Sequence, residues 1–120
     1  MSKPIILTVE DEPQVLNAIE RDLRRHFRGD YRVIKVGSGM EALDVLRQLK
    51  QRNASVALLL ADQRMPQVSG TEFLAEAMKF YPDARKVLLF VHDGLVFFAD
   101  SVFEFTPFEV IEESTGYECP

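Results

Sequence analysis

The sequence lacks long apolar stretches and contains a single cysteine, Cys119. The first apolar stretch covers only six residues, 4–9, before acidic residues follow. This length is too short for a membrane span or for the core of a signal peptide, so we expect a cytoplasmic protein without a membrane partner. One cysteine cannot form an intramolecular disulfide. Repeats and low-complexity linkers are also missing, which favours one domain over residues 1–120.

Basic residues are missing from the last quarter of the chain. Residues 1–89 contain 14 basic and 12 acidic residues, whereas residues 90–120 contain seven acidic residues and no basic one. Seven of the 12 aromatic residues also lie in residues 90–120. A change of composition this sharp indicates a second module, an interaction tail or a sequence of different origin. We therefore expect residues 90–120 to be atypical or replaced.

Strand-like and helix-like segments alternate along the rest of the chain. Apolar and β-branched residues predict strands at residues 5–9, 31–36, 56–61 and 86–91. Helix starts are indicated by Pro13 and by two serines that each precede a glutamate by three residues, Ser38 and Ser69. This alternation implies right-handed crossovers and parallel strands. The predicted fold is α/β and flavodoxin-like, a doubly wound parallel sheet in the order 2-1-3-4-5.

Acidic residues directly follow the first and third predicted strands. Glu10 and Asp11 follow the first, and Asp62 ends the third. These strands are neighbours in the predicted order, so the carboxylates should converge in the crevice at the carboxyl edge of the sheet. Clustered carboxylates favour a hard divalent cation such as Mg²⁺, which would allow an aspartate to attack a phosphoryl group. Each feature alone has a plainer interpretation, because acids stabilise helix N-termini and aspartates are common in loops.

Two segments carry a family resemblance. Residues 9–13 read Val-Glu-Asp-Glu-Pro, and residues 62–66 read Asp-Gln-Arg-Met-Pro, with Gly70 four residues further on. Together they resemble the receiver domains of two-component response regulators, and the resemblance extends over residues 4 to about 89. It implies a phosphorelay domain that is not an enzyme and that accepts phosphate from a histidine kinase or a phosphotransfer protein.

The same resemblance implies roles for individual residues. Asp62 would be the phosphoacceptor. Glu10, Asp11 and Asp62, together with the backbone carbonyl of Arg64, would bind Mg²⁺. Glu10 stands where the family usually has aspartate. The resemblance leaves open the cognate kinase and the output domain or downstream partner.

Several positions depart from the family pattern. Phe90 stands where receivers end their fourth strand with threonine or serine, and Thr106 stands where they carry a lysine before proline. No lysine follows Lys86, so no other alignment restores it. The aromatic residue of the family's fifth strand would be Phe103. These departures support an alternative function, that of a degenerate pseudo-receiver acting as a phosphorylation-independent interaction or dimerisation module.

A flavodoxin-like enzyme or binding domain unrelated to receivers is a third hypothesis. A phosphate-binding loop after the first strand would be rich in serine, threonine or glycine, whereas Glu10, Asp11 and Glu12 would repel a phosphate. No DNA-binding motif is present, so the sequence predicts no nucleic-acid partner.

Residues 95–105 are apolar, aromatic and prone to form strands. Three interpretations fit them: a buried fifth strand, a strand exchanged between subunits, or a segment unrelated to receivers that was joined after Leu89. We predict a strand over Leu95–Phe105 at the edge of the sheet, where exposed apolar surface would drive formation of a homodimer. The last four glutamates would form a solvated end: Glu109, Glu112, Glu113 and Glu118.

Overall fold

The structure, a computed structural model, describes residues 3–27, 29–92, 95–101 and 109–111, and it describes side chains in residues 3–27 and 29–89. In chain order the elements are β1 (Ile5–Val9), α1 (Pro13–His26), β2 (Arg32–Val36), α2 (Gly39–Gln51), β3 (Val56–Asp62), α3 (Gly70–Ala77), β4 (Arg85–His92), β5 (Leu95–Ser101) and β6 (Glu109–Ile111). The strands form one sheet in the order β2-β1-β3-β4-β5-β6. Strands β1 to β4 are parallel, which confirms the predicted order 2-1-3-4.

The helix starts follow the local signals in the sequence. α1 has Pro13 in its first turn, where a missing N–H removes no intrahelical hydrogen bond. At α3, the Ser69 hydroxyl accepts the Glu72 N–H and the Glu72 carboxylate accepts the Ser69 N–H, so this predicted capping box is confirmed. At α2, the Ser38 hydroxyl accepts the Glu41 N–H, but the described residues show no reciprocal bond, so that capping box is half formed.

The sheet separates two layers of apolar side chains. The larger layer lies between the sheet and helices α2 and α3, and its fully buried members include Leu7, Leu46, Leu59, Phe73 and Leu88. The smaller layer lies beneath α1 and contains Ile19, Leu60 and Leu89. Leu59 and Leu60 enter opposite layers because successive side chains of a strand alternate between faces. β3 is therefore covered on both sides, as its apolar sequence predicted.

α3 is shorter than the run of apolar residues that follows its start. Apolar residues at helical spacing extend to Tyr81, but the helix ends at Ala77 and turns follow. The ring of Tyr81 is still buried, and its hydroxyl donates a hydrogen bond to the Ala54 carbonyl at 2.8 Å. Turns after Ala77, with the N–H groups of Phe80 and Tyr81 both donating to the Ala77 carbonyl, keep the Tyr81 side chain in the core, and Pro82 disfavours any return to helix at Tyr81. No helix among the described residues is both long and apolar enough to cross a bilayer.

The predicted fifth strand lies beside β4, but it runs antiparallel to it. Only residues 93 and 94 separate β4 from β5. A parallel neighbour needs a crossover of about a dozen residues or more, so this connection permits only a hairpin. The doubly wound parallel pattern therefore ends at β4, which corrects the expectation of a wholly parallel sheet.

The prediction that Leu95–Phe105 forms the edge of the sheet is wrong. β6 pairs with β5 on the side away from β4, from Phe98↔Ile111 to Asp100↔Glu109, so β5 is an internal strand. Phe103 and Thr106 lie outside the described residues. Homodimer formation stays a prediction.

Candidate functional site

Three carboxylates converge at the carboxyl edge of the sheet. β1 and β3 are paired neighbours with Val9 opposite Ala61, so the next residue along each strand, Glu10 or Asp62, lies beside the other. Glu10, Asp11 and Asp62 each present an oxygen atom, and these atoms lie within 4.8 Å of one another. Glu10 is 3% exposed and Asp62 is 7% exposed, whereas Asp11 is open to solvent. The structure thus brings together the three acids that the sequence singled out.

Backbone hydrogen bonds hold these side chains in place. The Glu10 carboxylate accepts the N–H of Glu12 at 3.0 Å, and the Glu10 N–H donates to the Val36 carbonyl of β2 at 3.1 Å. The Gln63 N–H donates to the Leu89 carbonyl of β4 at 3.0 Å, which fixes the chain directly after Asp62. The acids are therefore oriented by main-chain groups at the strand ends, which change position little when side chains are replaced.

Burial in this crevice favours the protonated forms of two acids. It raises the pKa of Glu10 to about 8, and the neighbouring charges of Asp62 and Asp11 raise it further against the opposing effect of the Glu12 N–H. Burial also raises the pKa of Asp62, to about 6, while a hydrogen bond from Glu10 and the backbone N–H groups lower it. Because the pKa of Glu10 is raised to the higher value, a proton on this pair near neutral pH is held mainly by Glu10. A cation in the crevice would compete with that proton.

Gly70, eight residues after Asp62, lies where the start of α3 approaches the end of β3 most closely. A Cβ atom at Gly70 would overlap the Asp62 carbonyl oxygen and would lie 2.6 Å from Leu88 Cδ1. The Gly70 N–H also donates to the Gln63 carbonyl at 3.2 Å. The start of α3 therefore packs directly on the backbone of Asp62, and only glycine leaves enough room.

Gln63 is a site residue that sequence reasoning missed. Its side-chain oxygen accepts hydrogen bonds from the Thr71 backbone N–H at 3.0 Å and from the Thr71 hydroxyl at 2.6 Å. These bonds fasten the loop after Asp62 to the first turn of α3. In the sequence, Gln63 is marked only by its position directly after Asp62. A glutamine in a loop has no chemical property that would single it out.

One of the departures noted in the sequence, Phe90, falls next to this site, whereas Lys86, the last lysine of the chain, does not. Leu89 on β4 pairs with Asp62, so the backbone of Phe90 lies one residue beyond the acid at the carboxyl end of β4. Lys86 pairs with Leu59, three residues earlier, which places it roughly 10 Å back along the strands. Its ammonium donates to the carbonyls that precede β4, at Tyr81, Pro82 and Ala84. Lys86 therefore does not substitute for the missing lysine.

Arg64 is exposed, and its backbone carbonyl is the fourth metal ligand that the resemblance implied. The three carboxylates offer only oxygen ligands, which is the donor set that Mg²⁺ prefers. One face of the cluster is open through Asp11, so water molecules could complete the coordination shell. The residues present therefore fit a magnesium ion.

Comparisons with known proteins agree with this geometry. A family model described as the response regulator receiver domain matches residues 6–105. The hydrogenase transcriptional regulatory protein HoxA of Cupriavidus necator is 36% identical over 84 residues, which cover 70% of this chain and 16% of HoxA. The sensor kinase CckA of Brucella abortus is 33% identical over 84 residues, which cover 70% of this chain and 8% of CckA.

Solved structures show the same likeness. The response regulator TrrA of Thermotoga maritima, determined in complex with Mg²⁺ and BeF, is 30% identical with a TM-score of 0.60, and the match covers 75% of this chain and 71% of TrrA. The chain spans less than a fifth of the length of the curated relatives that it matches. The likeness therefore concerns one domain of those longer proteins.

Proposed function

The chain belongs to the response regulator receiver domain family, and we propose that Asp62 is its phosphoacceptor, with Mg²⁺ bound by Glu10, Asp11, Asp62 and the backbone carbonyl of Arg64. The phosphoryl group would come from a histidine kinase or a phosphotransfer protein. The observation that carries the proposal is the convergence of three carboxylates within 4.8 Å, with Asp62 buried among them.

The residues around Asp62 prepare it for nucleophilic attack. An ionised oxygen must form the bond to phosphorus while the donor's bond to phosphorus breaks. Burial raises the pKa of Asp62, but the Glu10 side chain and the backbone N–H groups of Arg64 and Gln63 oppose that rise and keep the pKa at about 6, so most of Asp62 is ionised at neutral pH. When bound, Mg²⁺ would neutralise charge on the transferring oxygens. The carboxylate that attacks is thus fixed in position at the end of a rigid strand.

A second function is favoured by the residues after Leu89. The side chain of Phe90 has no hydrogen-bond donor for a phosphoryl group, and the chain has no lysine after Lys86. Loss of one preorganised contact of this kind typically costs about 2.7–4 kcal/mol of transition-state stabilisation. We therefore expect phosphorylation of Asp62 to be slow. A pseudo-receiver that keeps metal binding and has lost phospho-switching is the alternative.

Magnesium binding is tested by thermal unfolding in increasing MgCl₂. Mg²⁺ should raise the melting temperature of the wild type, because it relieves repulsion among the three acids. Asp11→Asn should reduce the rise. Asp44→Asn on the exposed side of α2 is the matched control and should leave it unchanged. Equal shifts in the wild type and Asp11→Asn would show that the metal site is assigned wrongly.

Phosphoacceptance is tested by adding acetyl phosphate with Mg²⁺ and measuring covalent labelling by mass spectrometry. The label should appear on the wild type and be lost in Asp62→Asn. Beryllofluoride should stabilise the wild type only when Mg²⁺ is present. A protein that binds Mg²⁺ but takes up neither label would be a pseudo-receiver, and the phosphoacceptor proposal would be wrong.

A further inference from the structure

A cleft lined by basic residues lies at the opposite end of the sheet from the acids. It is formed by the last turns of α1, the start of β2 and Lys3, and it has a volume of about 820 Å³. We call it the basic cleft and define it by its basic and aromatic residues: Lys3, Arg21, Arg24, Arg25, Arg32, Phe27 and Tyr31. Arg21, Arg24 and Arg25 are neighbours on α1, whereas Lys3 and Arg32 come from other segments and join them only in the fold.

Most of the positive charge in the basic cleft is not neutralised within the described residues. Glu20 also lines the cleft, and it pairs with Arg24 at 3.2 Å and with Lys35 at 3.0 Å. Among the described residues, Arg21, Arg25 and Arg32 form no ion pair. Cations in the last turn of a helix are expected because they interact well with its dipole, but that effect does not account for Arg32 of β2. The surplus charge favours an anionic partner.

The aromatic residues and the strand edge restrict what kind of partner fits. Phe27 and Tyr31 pack edge to face with their ring centroids 5.3 Å apart, which gives the cleft an apolar wall. β2 is the edge strand, but Nη2 of Arg24 donates to the Val33 carbonyl at 3.1 Å and so occupies one of its backbone acceptors. Strand addition at this edge is therefore disfavoured, and recognition would depend on side chains.

The chain itself contains a segment of complementary chemistry. Residues 112–118 read Glu-Glu-Ser-Thr-Gly-Tyr-Glu, with three acids, one aromatic residue and no base. The strand that precedes them, β6, lies at the opposite edge of the sheet from β2. Five strand spacings separate these edges, roughly 24 Å, and β6 ends level with Asp62 while the basic cleft lies at the opposite end of the strands. Seven extended residues span at most about 25 Å, so a cleft in another molecule is more accessible than the cleft of the same molecule.

We propose that the basic cleft binds residues 112–118 of a second copy of this chain. The two surfaces differ, so the contact is head to tail and produces rings or longer assemblies as concentration rises. Because the contact depends on charge, it weakens when salt is added. It is distinct from association through apolar strand surfaces, which salt strengthens or leaves unchanged.

A charge-swap experiment tests this contact with the full chain. Sedimentation velocity over a concentration series would compare the wild type with Arg25→Glu/Arg32→Glu, with Glu112→Lys/Glu113→Lys and with the combination of all four changes. Arg52→Glu is the matched control, because Arg52 is an exposed arginine outside the basic cleft. Each double variant should weaken self-association at least tenfold, the combination should restore it, and Arg52→Glu should match the wild type.

Measurements with added NaCl and with single-stranded DNA test whether the contact depends on charge and whether the basic cleft binds nucleic acid instead. The dissociation constant of the wild type should rise at least tenfold between about 50 mM and about 500 mM NaCl. A wild type that stays monomeric at all concentrations would overturn the proposal. So would self-association that survives both double variants. Single-stranded DNA that binds through Arg25 and Arg32, with self-association absent, would assign the basic cleft to nucleic acid instead.

Discussion

Ionisable side chains are buried at both ends of the parallel strands, but the groups that surround them differ. At the amino end, Lys86 is 2% exposed and its ammonium donates to three backbone carbonyls at 2.6–3.3 Å. At the carboxyl end, Glu10 and Asp62 are about as buried, but their charged neighbours are other acids. Burial lowers the pKa of Lys86, and it raises the pKa of both acids.

This comparison distinguishes buried charges that only stabilise the fold from buried charges that can bind a ligand. A buried ammonium with three acceptors has the hydrogen bonds that it would have in water, so it has little need of another ligand. Buried carboxylates that face one another repel, and they gain from any cation that enters. Burial alone therefore does not identify a functional site, whereas the sign of the neighbouring charges does.

The largest expected effect is the pH dependence of stability that arises at the carboxyl end. A raised carboxyl pKa means that the folded state binds more protons than the unfolded state between the ordinary value of 4.5 and about 8. The stability contributed by Glu10 is therefore complete below pH 4.5 and is lost as the pH rises through about 8. In metal-free buffer we expect a loss of roughly 3–5 kcal/mol relative to Glu10→Gln.

Urea unfolding from pH 4 to 9 would measure that loss, with Glu41→Gln as the exposed control that keeps the wild-type slope. Added Mg²⁺ should flatten the curve of the wild type, because the cation favours ionised acids. If the wild type and Glu10→Gln give parallel curves, Glu10 is not the proton carrier of the site.

The second largest expected effect on stability follows from a change at Gly70, which packs on the backbone of Asp62. Gly70→Ala places a methyl group against the Asp62 carbonyl oxygen and Leu88, and one of these is backbone that cannot move freely. We expect a loss of about 3 kcal/mol in the free energy of unfolding, as in an overpacked core, with a weaker response to Mg²⁺. Gly37→Ala is the matched control, because nothing lies within 4 Å of its added Cβ. Equal stability of the two variants in urea would contradict this packing.

At the amino end, Lys86→Met should destabilise the fold by about 2 kcal/mol. Methionine fills a similar volume but leaves the carbonyls of Tyr81, Pro82 and Ala84 without their shared donor. The response of the melting temperature to Mg²⁺ should match that of the wild type, because Lys86 lies far from the acids. A changed magnesium response would mean that the two ends of the sheet are not independent.

The smallest expected effect on stability concerns the residue before the last one of β1. Thr8 is fully buried, and among the described residues its hydroxyl has no hydrogen-bond partner. Thr8→Val should stabilise the fold by about 1 kcal/mol, because it removes an unpaired polar atom and keeps the shape of the side chain. Thr8→Ser, which keeps the hydroxyl and removes the methyl group, should destabilise it. A loss of stability in Thr8→Val would indicate a partner for the hydroxyl, such as a buried water molecule.

Much of the fold could be predicted from the sequence because its signals are local. Apolar runs located the first four strands, and Pro13 and the serine caps located the helix starts. The acids after β1 and β3 were predicted to meet because parallel strands end at one edge of a sheet. The direction of β5 was missed, although the two residues before Leu95 were already too few for a parallel crossover.

The sequence by itself determined which residues form strands and helices and which acids end the strands, because these depend on neighbours along the chain. Only the tertiary structure decided the pKa values of Glu10 and Asp62, the close contact at Gly70 and the addition of Lys3 and Arg32 to the α1 arginines in the basic cleft. Each of these depends on burial and on distances between residues far apart in sequence. Such distances follow from strand register and helix packing, which no local pattern encodes.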